Sequence, residues 1–507
     1  MTLWDSSVAP FRRTTDGLVR TADLTERQGW SVLIVLIAVS TLLFAFLAAQ
    51  RVAGLHSYGQ DTAEFGYAYY QTLHGRLFPS FAADYSLWGS HPDFLMVLWL
   101  PIYWLVPTVN NLLVFQSLMI SLGAIPVYLL ARDVTGHRGT ALIAAAGLLL
   151  FPPVARVHLA EIHDDALGFA ALLFAFYFFY KKRFGWFAGW LAVSLLAKET
   201  IVLNTGFFTI YAILRRRGWR WVLFPALWSV GYFLVARHVI MPYGGDWWAT
   251  KLYSQAGYFN QWGTTASQVV RNLLLHPGQV MITLLAPDRV WYLQRLLRPL
   301  LLVLPFGDWG WVTAVPMLAV NLLSGNVLLR SSLHWYGILA GGQLYASAIT
   351  ALPYWNRKLA GWFGGRDYCR LICAAILVAC VLHTPLWLIL REFQYAPCDA
   401  ARRQAVEAVP PQASVLAPDN LLPMFASHPA INSVYALNFH CQDPNRIFEY
   451  EYIIFDANYP GVSAEERQYQ HKLYNFIVTN PAYRRVFLRD NVCVYRCEGQ
   501  LGHPPPW

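Results

Sequence analysis

Asp61 and Glu64 lie three residues apart in SYGQDTAEFGYAYYQTLHGR (57–76), and Tyr67, Gln71 and His74 continue the same spacing. A helix over this stretch gathers two carboxylates, a phenol, an amide and an imidazole on one side. Such a surface can take a proton from a hydroxyl or hold that hydroxyl in place. Two close carboxylates repel unless a cation sits between them, so metal ligation is a second use. The plainer alternative is an amphipathic helix lying on a membrane surface.

A second set crowds PPVARVHLAEIHDDALGFA (152–170), which carries Arg156, His158, Glu161, His163, Asp164 and Asp165. Glu161, His163, Asp164 and Asp165 make a mixed imidazole and carboxylate group that suits Mn, Zn or Mg. Asp164 or Asp165 could instead cap the helix that starts near Ala166. Lys198 and Glu199 interrupt apolar sequence, where ions are costly and usually partnered or functional. Lys198 could hold a lipid phosphate with Glu199 setting its position, or the two could form a pair at a helix break. His91, Arg330 and His334 occupy comparable turns and are candidates for the same anion, although single interfacial cations commonly snorkel.

Composition says what must position these groups. Of 507 residues 56% are hydrophobic and only 13% charged, whereas soluble domains carry about 25% charge. The chain therefore reads as an α-helical polytopic membrane protein. Its first span runs from Trp30 to Ala49, long enough for a hydrocarbon core of about 30 Å. Further apolar runs between 93 and 390 bring the expectation to about 10–12 hydrophobic helices. The net charge of +9 is placed mainly in short turns, at Arg132 and Arg138, Lys181 to Arg183, Arg215 to Arg220, and Arg357 to Arg370. The positive-inside rule makes these turns cytoplasmic and removes nucleic acid as a partner. The segments 50–92, 152–165, 241–270 and everything after 391 then face outward. Parity requires that the runs at 93–107 and 273–287 not both be simple crossings, so one or both are re-entrant or interfacial.

Three parts follow: a cytoplasmic segment at 1–29, a transmembrane domain at 30–390 and an extracytoplasmic α/β domain at 391–507. In the last, 413–417, 431–437, 452–457 and 491–495 read as short strands and 464–478 as a helix, with AVPPQAS (408–414) as a linker. Cys398, Cys441, Cys493 and Cys497 fall in this domain. An even set there fits disulfides in an oxidising compartment, with three pairings open, and buried free thiols are the alternative. Asp246, Trp247, Trp248, Tyr253, Tyr258 and Trp262 make the loop at 241–270 aromatic, which suits sugar stacking or a membrane-interface belt. No phosphate-binding glycine loop, dinucleotide fingerprint or nucleophile elbow is present, so nothing points to a soluble nucleotide donor.

Asp61 followed by Tyr70 to Arg76, His91 before a proline-containing helix, Tyr128 to Arg132, Phe151-Pro152-Pro153, His163-Asp164, Lys198-Glu199 and His334-Trp335-Tyr336 recur in a fixed order. With the tail VPPQASVLAPDNLLPMFASHPAINSVY, they resemble bacterial multi-spanning proteins called domain of unknown function 2079, distant relatives of the GT-C membrane glycosyltransferases. The resemblance implies a GT-C-like fold, a polyprenyl-phosphate-linked sugar as donor, and a first-loop acid, here Asp61, acting on a glycan, lipid or protein acceptor. It also implies that the Glu161 to Asp165 region is the counterpart of a second acidic loop that holds a divalent metal, Mg or Mn, in some such enzymes. The expected activity is thus sugar transfer at the outer face of the bacterial inner membrane, with Asp61 as base. Glu64, His163, Asp164 and Asp165 would hold metal or sugar. Lys198, Arg156, Arg330 and His334 would neutralise the leaving lipid phosphate, and His91, His158 and Glu199 would line the site. A lipid or saccharide transporter, or a non-catalytic envelope assembly protein, is the alternative.

Overall fold

The computed structural model describes residues 23–57, 59–81, 86–245, 258–331, 334–365, 367–384, 395–435, 450–459 and 464–498. Helix α1 (Glu26–Ala53) starts at a capping box in which the Thr25 hydroxyl accepts from the Gln28 amide and the Gln28 side chain answers the Thr25 amide. Its 28 residues extend about 42 Å at ~1.5 Å per residue. One face, with Leu33, Ile37, Phe44 and Ala48, is buried in the bundle, while Ile34, Val35, Val39, Leu42 and Phe46 stay exposed. Apolar residues on both faces require a hydrocarbon solvent outside the bundle. By length and composition α1, Val109–Thr135 and Trp219–Tyr243 can each cross a membrane. A fourth candidate is Arg138–Leu149 with α3 (Pro152–His158), bent by 56°. The bend falls at Phe151-Pro152-Pro153, where proline restricts the preceding residue and cannot supply an amide to the helix.

The two runs singled out by parity are both broken. Residues 94–105 form a 3-10 turn, Phe94–Trp99, and a six-residue helix, Leu100–Leu105. The stretch around 273–287 divides into Ala266–Leu275 and Pro277–Leu284, hinged at His276-Pro277. Neither is a continuous helix of membrane length. Further along, α4 (Asp164–Tyr180) packs centrally, and α5 (Pro287–Leu297) shares a cleft with Pro152, Pro153 and Arg156 of α3.

The carboxy-terminal region builds a five-stranded sheet in the order β2-β1-β3-β5-β4, with β1 Val415–Ala417, β2 Ile431–Ser433, β3 Tyr452–Asp456, β4 Tyr483–Arg489 and β5 Val492–Cys497. β1 pairs in parallel with β2 and β3; β5 runs antiparallel to β3 and β4. α6 (Asp399–Glu407) and α7 (Ala464–Thr479) accompany it. Two corrections arise. AVPPQAS is not a linker ahead of this unit: α6 precedes it, and Ala401 and Ala405 share a core with Val415 and Val494. β4 was not expected, because it is a mostly exposed edge strand whose Arg484, Arg485 and Arg489 hide its alternation. The signal was the turn Asp490-Asn491, both at positive φ (48° and 62°), the geometry of a two-residue hairpin.

α2 (Asp61–Leu73) joins the two parts. Its Ala63 and Tyr67, with Leu55 and Phe81, complete the same core as Leu421, Phe425 and Ile431. A Cβ on Gly66 would meet Ala426 Cβ and Val109 Cγ2 at 2.8 Å each, so only glycine fits where α2 is wedged. The Tyr67 hydroxyl donates to the Pro429 carbonyl (3.2 Å), and Gln71 Nε2 donates to those of His428 (3.3 Å) and Pro429 (3.2 Å). His56 Nε2 lies 3.0 Å from Asp399 Oδ2, and Arg402 bonds both Asp399 (2.9 Å) and Asp456 (2.7 Å).

Candidate functional site

Asp61 is the first residue of α2, and its placement depends on Glu161. The Glu161 carboxylate accepts the Thr62 amide (3.2 Å) at the start of α2 and lies 3.5 Å from Arg51 Nη2. Arg51 also bonds the carbonyls of Leu159 and Ala160, the latter at 3.1 Å, and the Ile162 amide donates to Thr62 Oγ1 (3.2 Å). Gln116 grips the same turn: its Nε2 donates to Val157 (3.1 Å) and Glu161 (3.3 Å) carbonyls, and its Oε1 accepts the His163 amide (2.7 Å). These contacts bring Asp61 within electrostatic reach of Glu161, His163, Asp164 and Lys198.

The first-loop acids then separate in character. Burial raises the Asp61 carboxyl to about 6; His163 and Lys198 pull it down while Glu161 and Asp164 push it up. Glu64 is raised further, to about 8, by burial above all, against hydrogen bonds from Ser80 and the Phe81 backbone. At neutral pH Asp61 is mainly ionised and Glu64 mainly protonated, so only Asp61 can serve as a base.

His163 and the two aspartates form the second half. His163 Nδ1 stands 2.8 Å from Asp164 Oδ1 and 3.3 Å from Asp165 Oδ2, and Lys198 Nζ stands 2.9 and 3.4 Å from the same two oxygens. His163, Asp164 and Asp165 present ligand atoms within 4.8 Å of one another, so this group could hold a metal. Glu161, expected with them, is taken up by Arg51 and Thr62 and stands outside the group. The donor set suits a hard divalent ion, but the Lys198 ammonium already contacts the oxygens such an ion would use. A metal there requires Lys198 to withdraw.

Lys198 and Glu199 do not pair with each other: Glu199 receives His91 Nδ1 at 3.0 Å from both carboxylate oxygens. Beside them lies Asp93, buried, with Oδ1 lacking any hydrogen-bond partner among the described residues and with Asp164, Lys198 and Glu199 in electrostatic reach. Asp93 and Gln116 were missed in sequence. The available signal was a polar residue inside an otherwise apolar stretch at each position. His158 does not belong to the site. It is buried, stacks on Phe44 at 4.4 Å and 10°, and neither ring nitrogen has a hydrogen-bond partner among the described residues.

A wall of rings separates this acid pocket from a basic cleft. The His163 ring stacks on Trp335 (3.9 Å, 24°), and His334 lies 5.5 Å beyond Trp335. His334 opens into a cleft of about 80 Å³ that also holds Arg156 from α3, Arg295 from α5, Arg298, Arg330 and His383. Burial and the His163 charge together hold the His334 imidazole below its ordinary value, so it is neutral near pH 7. Arg330 is anchored by Asp288 (2.9 Å) and by the Asn321 (3.0 Å) and Ser324 (2.8 Å) carbonyls. Arg295, Arg298 and His383 were not anticipated from sequence, because each is a lone cation at a helix end far along the chain from Arg156.

Two expectations concern residues away from this site. Cys398 and Cys493 carry free thiols, so the four-cysteine pairing does not form. Cys493 and Cys497 occupy one strand four residues apart, about 13 Å at ~3.3 Å per residue, beyond disulfide reach. Cys441 lies outside the described residues, as do Asp246, Trp247, Trp248 and Tyr253 of the aromatic loop. Trp262 is buried and donates to the Leu323 carbonyl (2.8 Å), which leaves it no open face for a sugar.

A family model described as predicted membrane protein, DUF2079, matches residues 51–494. The chain belongs to the DUF2079 family. This DUF2079 protein also shares its fold with ArnT from Cupriavidus metallidurans, solved bound to undecaprenyl phosphate: 15% identity over 92% of this chain and 98% of that one, with a TM-score of 0.56. For ArnT in the apo state the values are 15%, 94% and 100%, and 0.54. No curated protein matches the chain. At 15% identity this likeness is one of fold.

Proposed function

We propose that the protein is a membrane glycosyltransferase that moves a sugar from a polyprenyl-phosphate-linked donor to an acceptor at the outer face of the bacterial inner membrane. The observation that carries this reading is the juxtaposition of an acid pocket containing one ionised, half-buried carboxylate with a cationic cleft across the His163–Trp335–His334 wall. Glycosyl transfer needs both: a group to take the proton of a weakly nucleophilic hydroxyl, and cations where the phosphate departs. The ArnT fold and the undecaprenyl phosphate bound to that protein accord with it.

In this mechanism Asp61 accepts the acceptor's proton, and the sugar sits against Trp335 with its carrier phosphate toward Arg156, Arg330 and His334. Protonated Glu64, held by Ser80, acts as a neutral donor that positions the acceptor. Lys198 keeps Asp164 and Asp165 in place, and His91 with Glu199 fixes the turn that presents Lys198. A divalent ion on His163, Asp164 and Asp165 would supply further positive charge for the sugar or phosphate oxygens. A transporter would carry its ionisable residues along a path through the bilayer midplane; here the groups converge at one end of the bundle. The test is transfer of label from defined radiolabelled polyprenyl-phosphate sugars by the purified protein in lipid nanodiscs. Labelled product with the parent and none with a vesicle control supports the reading. Vectorial movement of the lipid-linked sugar without transfer would replace it with transport.

A further inference from the structure

The cleft contains more cationic charge than one phosphate needs. Arg156 and Arg330 reach it from separate elements, Arg295 and Arg298 from α5 and its C-cap, and no carboxylate is among its lining residues. The charge of Arg330 is answered by Asp288 at 2.9 Å. Arg295 donates to the Arg330 carbonyl (2.8 Å), and Arg298 donates to Gln294 (2.8 Å) and lies 4.8 Å over the Trp291 ring. Neither meets a carboxylate among the described residues, and Arg156 and Arg295 repel each other. Guanidinium groups keep their charge at every physiological pH and match phosphate oxygens in pairs. Two guanidinium groups, Arg295 half-buried and Arg298 exposed, therefore face the cleft with no carboxylate to answer them among the described residues, an arrangement that favours an anion.

We propose that the cleft takes the diphosphate of a lipid carrier, with Arg295 and Arg298 as its dedicated ligands. This rests on the glycosyltransferase reading and specifies its donor. A sugar linked through one phosphate is a diester with one negative charge; one linked through a diphosphate carries two, the number Arg295 and Arg298 balance. On transfer the bond between the anomeric carbon and the diphosphate oxygen breaks, and its electron pair stays on that oxygen. The acceptor oxygen forms the new bond to the anomeric carbon, and its proton passes to Asp61. The leaving diphosphate thereby gains a further charge, which Arg156 and the ring N–H of His334 are placed to receive.

The experiment compares binding of polyprenyl diphosphate and polyprenyl monophosphate of equal chain length to the full-length protein in nanodiscs, by native mass spectrometry. The diphosphate should bind at least tenfold more tightly. Arg298→Gln, at an exposed position, should reduce that preference to about threefold, and the Arg295→Gln/Arg298→Gln pair should abolish it. Equal or tighter binding of the monophosphate by the parent would overturn the diphosphate assignment and leave the glycosyltransferase reading standing. Binding of neither lipid would overturn both. Unchanged preference in monodisperse variants would remove Arg295 and Arg298 from the site.

Discussion

Two aspartates of one protein, Asp308 buried and Asp61 half-buried, have opposite surroundings. Asp308 is saturated: Oδ2 accepts from the Tyr211 hydroxyl (2.9 Å), the Thr350 hydroxyl (2.8 Å) and the Gly310 amide (3.1 Å), while Oδ1 lies 3.2 Å from Arg215 Nη1. Asp61 has neighbouring charges but no hydrogen-bond donor on its carboxylate among the described residues. A carboxylate with every lone pair engaged is holding helices together. One left with its acceptors open at the half-buried start of α2 is poised to take a proton from something else. The same contrast separates the compensated acid pocket from the basic cleft, where the opposite sign awaits a ligand.

The comparison can be broken most sharply at Asp308. Asp308→Ala leaves Arg215 and two hydroxyls without their acceptor, and breaking such a buried pair costs about 3–5 kcal/mol. Urea titration or thermal scanning should show that loss, and transfer per folded molecule should remain. Asp61→Asn should act in the reverse direction. A carboxyl raised from 3.8 to about 6 binds its proton more tightly in the folded state, so its contribution favours folding at low pH and is lost as pH rises from about 4 through 6. At neutral pH the ionised group costs up to about 3 kcal/mol, and the amide should recover part of it. A large destabilisation of Asp61→Asn would mean that Asp61, like Asp308, is structural. A smaller effect concerns Lys198. Lys198→Met vacates the position beside Asp164 and Asp165, and Mn²⁺ binding measured by electron paramagnetic resonance should tighten by about tenfold, ~1.4 kcal/mol. No change would mean that the ammonium does not compete with a metal.

Which parts of this were legible depended on the range of the interaction. The α1 span, the helix bearing Asp61 and α7 are written in local periodicity, and the strands at 415, 431, 452 and 492 in short β-branched or aromatic runs. Asp61, His163, Asp164, Lys198 and His334 stand out in the chain because polar groups are conspicuous in apolar sequence. What they touch was not legible: Lys198 meets Asp164, 34 residues away, rather than its neighbour Glu199, which meets His91 instead. His158 and His163 look equivalent in the chain, yet one helical turn and the break after Leu159 send the first against Phe44 and the second against Trp335. Arg295 and Arg298 lie over 100 residues from Arg156, and only folding gathers them into one cleft.

The central claim is that Asp61 is the base. It is tested most directly by the rate of sugar transfer between pH 4.5 and 8, at fixed lipid donor, for the parent and Asp61→Asn in the same nanodiscs. The parent rate should climb as pH rises through about 6, where Asp61 loses its proton, and Asp61→Asn should fall by about 10²–10⁴-fold with that inflection gone. Transfer by Asp61→Asn at the parent rate, with the same inflection, would contradict the account.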